Sequence, residues 1–86
     1  MPSVSFPFDA QLVSVRREVC PRARWDRAGR TWAMTREEAM AFLAAGHARL
    51  AYCRTTAMIV IDDERWLVGF AEGAPKRHNS PERKQR

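Results

Sequence analysis

"RARWDRAGRTWAM", residues 22–34, is the stretch on which the fold turns. Pro21 ends any helix that precedes it, and aromatic and cationic residues then flank an Asp-x-x-Gly. Asp26 suits the first position of a turn, and Gly29 can take the left-handed conformation that closes a tight hairpin. The stretch therefore predicts two short strands, with two registers open. If Arg27-Ala28-Gly29 form the loop, Arg24 pairs with Trp32 and the two indoles take opposite faces. If Ala28-Gly29 alone turn the chain, Trp25 faces Trp32 directly.

Upstream, "SVSFPFD" places Val4, Phe6 and Phe8 on one side of a short half-buried strand, with Pro7 marking it as an edge strand. Asp9 is a good N-cap for the next helix, and Phe8 and Val13 occupy the positions of a hydrophobic staple. Leu12, Val15 and Val19 recur at helical spacing, with Arg16 and Arg17 on or beside that stripe. Downstream, "TREE" is a capping box: Thr35 bonds forward and Glu38 reaches back to open a second helix. Ala39, Phe42, Leu43 and Leu50 fall on its buried side, and Gly46 marks its end or its weak point. "AMIVI", "DDER" and "WLVGF" then read as strand, turn and strand, with Trp66, Val68 and Phe70 facing a core.

The predicted order, β-α-β-β-α-β-β, defines an α+β fold, a small antiparallel sheet backed by two helices; a ferredoxin-like arrangement is one topology it allows. With 86 residues the chain has room for one domain, predicted over residues 1–72. From Gly73 on no apolar periodicity remains, and residues 73–86 read as a disordered basic tail. The amino terminus has no basic patch followed by an apolar run, and the longest apolar stretch is too short for a bilayer, which predicts a cytoplasmic chain without membrane contact. In that compartment Cys20 and Cys53 are expected to be reduced.

The charge of +5 is unevenly spread. Residues 16–36 carry +5 and residues 73–86 carry +4, whereas residues 37–72 carry −3. Thirteen of the fifteen cations are arginine, whose planar guanidinium donates paired hydrogen bonds to phosphate and stacks on flat rings. Five arginines between 22 and 36 repel one another, with only Asp26 among them before the acidic start of the second helix. An anionic partner would relieve that repulsion. The predicted nucleic-acid-binding residues are accordingly Arg16, Arg17, Arg22, Arg24, Trp25, Arg27, Arg30, Trp32, Arg36, Lys76 and Arg77. Their arginines would hold the backbone, and one indole would offer a base a stacking platform. Asp62-Asp63-Glu64 lacks the spacing of a calcium or magnesium loop and reads as a hairpin tip. His47 reads as a cation favoured near a helix C-terminus rather than as a general base. No grouping of residues points to catalysis, a metal or a cofactor.

A strand leading into a capped helix, then "RARWDRAGRTWAMT" and a second helix, resembles the HARP domain, a small module named from an annealing helicase. The matching residues are Trp25-Asp26, Arg30-Thr31 and Trp32, and the similarity covers roughly residues 5–45; the same hairpin also resembles that of related small bacterial "ARWD…W" domains. The resemblance implies binding to DNA, single-stranded or forked, through the basic surface around the hairpin, without catalysis. An alternative expectation, from small size and mixed charge, is a phage- or plasmid-type interaction protein that binds and inhibits or adapts a host protein. An edge-strand homodimer is compatible with both.

Overall fold

The computed structural model describes residues 1–70 and 74–78. The elements run β1 Ser3–Ser5, α1 Ala10–Val19, β2 Arg24–Asp26, β3 Thr31–Ala33, α2 Arg36–Cys53, β4 Ala57–Ile61, β5 Glu64–Val68 and β6 Lys76–His78. All strand pairs are antiparallel, in the order β2-β3-β1-β4-β5-β6. This is the α+β architecture the sequence predicts. The arrangement of β1 to β4 is the split β-α-β of a ferredoxin-like sheet, and β5 and β6 extend it.

Both helices start where their caps place them. Asp9 accepts from the Gln11 and Leu12 amides at 2.8 and 3.2 Å, and Thr35 and Glu38 close a capping box at 3.0 and 2.8 Å. The helices share one face of the sheet. Leu12 and Val15 from α1, Phe42 and Leu50 from α2, and Val4, Ile59 and Val68 from the strands form its fully enclosed core, joined by Met34 and Cys20. Gly46 does not end α2. It is buried at the helix crossing, where an added Cβ would stand 3.1 Å from Leu12 Cδ2, so its missing side chain sets how closely α1 and α2 approach. The helix instead ends at Arg54, in the left-handed region at φ 60°. Arg49 ties the helices together from the rim, bonding Gln11 and pairing with Glu18 at 3.3 Å.

Four further expectations are corrected. β1 is a central strand bonded to β3 and β4, not an edge; it stops at Ser5, so the missing N–H of Pro7 falls outside the ladder. Phe8 is 95% exposed and does not staple α1. His47 lies inside α2, buried, where its Nδ1 accepts from the Gly69 amide at 3.0 Å and its ring packs on Phe70; it is an internal tie, not a cation at the helix end. Lys76–His78, expected within a disordered tail after residue 72, pair with β5. These three cationic or aromatic-ring residues have little strand propensity of their own. The open hydrogen-bonding edge of β5 and the Arg77–Glu64 pair at 3.2 Å hold them there. Residues 71–73 and 79–86 of the predicted domain end and tail lie outside the described residues.

Candidate nucleic-acid interface

The hairpin adopts the second of the two registers: Trp25 pairs with Trp32, flanked by Arg24–Ala33 and Asp26–Thr31. Its loop is four residues long, because Asp26 builds the turn itself. The Asp26 carboxylate accepts from the Ala28 amide at 3.1 Å, and its carbonyl accepts from the Arg30 amide at 2.7 Å. Arg30, not Gly29, takes the left-handed conformation, at φ 57°. A Cβ at Gly29 would meet mainly the exposed Asp26 carboxylate, at 3.0 Å.

The register puts both indoles on the helix-bearing face, with ring centroids 5.3 Å apart and planes tilted by 60°. Cross-strand pairing with the buried Val4 fixes which face this is. Trp32 is half-buried, packed against the core and covered by Arg16 of α1, whose guanidinium lies 4.0 Å from the ring centroid. The same guanidinium donates to the Cys20 carbonyl at 3.3 Å, which satisfies the end of α1. Cys20 itself is enclosed. Burial pushes its thiol up to about 11, Glu38 adds to the rise, and Arg16 opposes it. Trp25, on the edge strand, has no such cover and is 52% exposed.

Between α1 and the hairpin these side chains leave a groove of about 460 Å³. Its walls are Phe6, Phe8, Val13, Trp25 and Trp32, and its only charged lining residues among those described are Arg16 and Arg17. No carboxylate among the described residues lines it. Arg17 is exposed and has no partner among the described residues, so a ligand entering the groove meets an open indole and an uncommitted guanidinium together. Phe6 is anchored against Phe42, with centroids 4.9 Å apart, and gives the groove a rigid floor.

The other predicted residues do not converge there. Arg22 is exposed just after α1, Arg27 and Arg30 are exposed at the hairpin tip, and Arg36 is exposed in the first turn of α2. Arg24 alternates with Trp25 and so projects from the opposite face of the sheet. Lys76 and Arg77 sit on β6, five strand spacings of ~4.8 Å from β2, hence about 24 Å away. Arg77 is committed to Glu64. The basic blocks therefore do not merge into one surface. None of the seven arginines between 16 and 36 pairs with a described carboxylate, however, so their charge remains available.

Comparison with family models, curated proteins and solved structures yields no match. The HARP-domain expectation therefore rests on the sequence resemblance over roughly residues 5–45 alone. Among the described residues no three His, Cys, Asp or Glu side chains gather as metal ligands, and no helix is long and apolar enough to cross a membrane. Phe6, Val13 and Phe8 are the lining residues that sequence reasoning did not place in a site, and the most exposed of them is Phe8. Its assignment to a staple followed from spacing, and only the end of β1 at Ser5 shows that it is left outside the core.

Proposed function

We propose that this chain is a small non-enzymatic nucleic-acid-binding module that takes single-stranded DNA, free or as the unpaired arm of a fork, into the groove between α1 and the β2-β3 hairpin. The observation that carries this reading is the half-exposed Trp25 in a groove whose only charges among the described residues are two guanidinium groups. An unpaired base can stack on that indole, a contact worth about 1–3 kcal/mol, while a duplex keeps its bases stacked on one another. Arg17 reaches the neighbouring phosphate, and Arg22, Arg27 and Arg30 add a diffuse attraction that does not depend on sequence. Arg16 acts differently: it holds Trp32 and the end of α1, and so shapes the groove. The HARP-like hairpin points the same way.

The test is fluorescence anisotropy with a labelled oligothymidine and its duplex counterpart. Single strand is expected to bind more tightly, with log affinity falling against log salt at a slope of about −2 to −3 if three or four phosphates are neutralised. Arg17→Ala lowers the slope by about 0.7, and Trp25→Leu weakens binding by roughly 5- to 150-fold at every salt concentration. A flat salt response, or equal binding by Trp25→Leu and wild type, rejects the proposal. The second reading, a protein partner, would use the opposite face of the sheet, which no helix covers among the described residues.

A further inference from the structure

We infer that two copies of this chain join through β2, antiparallel and centred on Trp25, so that their sheets run on as one and their grooves meet. β2 is an edge of the sheet, with all three of its residues exposed. Its outward hydrogen-bonding groups belong to Trp25. The Met34 amide donates to the Pro2 carbonyl at 3.3 Å, so β3 turns the backbone groups of Trp32 and Met34 toward β1 and, by alternation, those of Thr31 and Ala33 toward β2. Asp26 and Arg24, their partners, face back toward β3, in keeping with the bond from the Arg30 amide to the Asp26 carbonyl. The N–H and C=O of Trp25 therefore point away from the sheet, spaced to exchange two hydrogen bonds with the same residue of a second copy.

Charge selects both the occupant and the register. A two-fold axis normal to the sheet keeps like faces together, so an antiparallel pair of β2 strands is centred on a residue that faces itself: Arg24, Trp25 or Asp26. Centring on Arg24 sets guanidinium against guanidinium, and centring on Asp26 sets carboxylate against carboxylate. Centred on Trp25, Arg24 of each copy faces Asp26 of the other, and Arg22 and Arg27 fall opposite Ala28 and Ala23. Arg24 and Asp26 are exposed on the same face of the sheet, and neither has an ion-pair partner among the described residues. The opposite edge, Lys76–His78, holds no carboxylate, so a second copy gains no such ion pair there. On the helix-bearing face the two Trp25 side chains stand about 5 Å apart at Cβ and cover each other's exposed flank. Each groove then opens onto its copy across the axis, and each chain contributes an indole to the joined wall. Only this joined groove rests on the nucleic-acid reading; the pairing itself does not. Two chains of +5 repel at long range, so the pairing is favoured where salt screens that repulsion.

The test is sedimentation equilibrium of the full chain at about 0.15 M salt over a roughly hundredfold concentration range, with a thiol reductant so that the exposed Cys53 cannot crosslink. Apparent mass is expected to rise from 9.9 kDa toward twice that value and no further. Arg24→Glu sets carboxylate against carboxylate on both sides of the axis and weakens association at least about tenfold, although it lowers the net charge; Arg24→Lys keeps association within about threefold. Far-UV circular dichroism of both variants matches the wild type. In a half-labelled sample, isotope-filtered NOEs are expected between the α-protons of Arg24 in one copy and Asp26 in the other, the closely spaced pairs that flank the hydrogen-bonded Trp25 pair. A chain that stays monomeric, a dimer that Arg24→Glu leaves intact, intermolecular NOEs centred on β4 and β5, or association that runs past a dimer overturns the inference. A dimer that forms as described but takes up no oligothymidine upholds it and rejects the nucleic-acid reading alone. Oligothymidine bound by a chain that is monomeric throughout does the reverse.

Discussion

Replacing Gly69 with alanine adds one methyl group and is expected to remove a large share of this protein's stability. Gly69 sits just beyond β5 at φ +96°, a backbone conformation L-residues rarely adopt. A Cβ there would collide with the Thr55 carbonyl oxygen, stand 2.7 Å from Leu50 Cβ and lie 3.0 Å from Thr56 Cα. Two of those obstacles are backbone and the third is a fully buried side chain on α2, so nothing flexible can yield. Left-handed strain costs about 1–2 kcal/mol and overpacking about 1–3, while the stiffer unfolded chain returns about 0.4–1. The net is about 2–4 kcal/mol, against about 4–13 kcal/mol for a domain of this length. Thermal unfolding followed by circular dichroism should show Tm lowered by roughly 10–25 °C. Gly29→Ala is the matched control, since its new methyl meets mainly the exposed Asp26 carboxylate, and it should cost less than about 1 kcal/mol. A Gly69→Ala protein as stable as Gly29→Ala would refute the steric reasoning.

Asp62 and Asp63 both have positive φ, 48° and 73°, in the two-residue β4-β5 turn, so Asp63→Gly should raise stability by up to about 1 kcal/mol in urea titration. Asp62 should not tolerate the same change, because its carboxylate accepts from the Ser3 amide at 2.9 Å and binds β1 to the turn. Thr35→Ala removes the capping box of α2 and should cost about 1 kcal/mol, seen as a lower urea midpoint at constant m-value. The Cys20 thiol titrates near 11 in the folded protein against 9.0 ordinarily, so the fold retains the extra proton. Its stabilising contribution is complete below pH 9 and is lost as pH rises through 11, by up to about 2–3 kcal/mol. Cys20→Ala should flatten that alkaline slope, and an identical slope would remove Cys20 as its source.

What could be read from the sequence was local. Asp9 and Thr35-x-x-Glu38 act within one helical turn, so their chemistry alone places the helix starts. The stripe of Leu12, Val15 and Val19 and the alternation of Trp66 and Val68 follow from periodicity in the same way. Properties set by contact between distant segments were hidden. The place of β1 depends on pairing with β3 and β4, and β6 exists only because β5 offers an edge. Gly46 looks like a helix stop until Leu12 is seen against it, and His47 looks like a terminal cation until Gly69 arrives at its Nδ1. Of the residues predicted for the candidate site, Trp25, Trp32, Arg16 and Arg17 line one groove. Arg24 was placed with them because sequence proximity does not say on which side of a pleat a residue falls, and Lys76 because net charge carries no position.

The most direct test of the groove as the binding surface is a nitrogen-15 NMR titration with a short oligothymidine, following the three indole N–H signals and the backbone amides. The indole of Trp25 and the amides around Arg16 and Arg17 should shift together and saturate in proportion to added strand. Trp66 and the amides of Met58, Arg65 and Leu67, on the far side of the sheet or beyond the groove, should stay in place. Shifts centred on β4 and β5 with Trp25 unmoved would contradict the account.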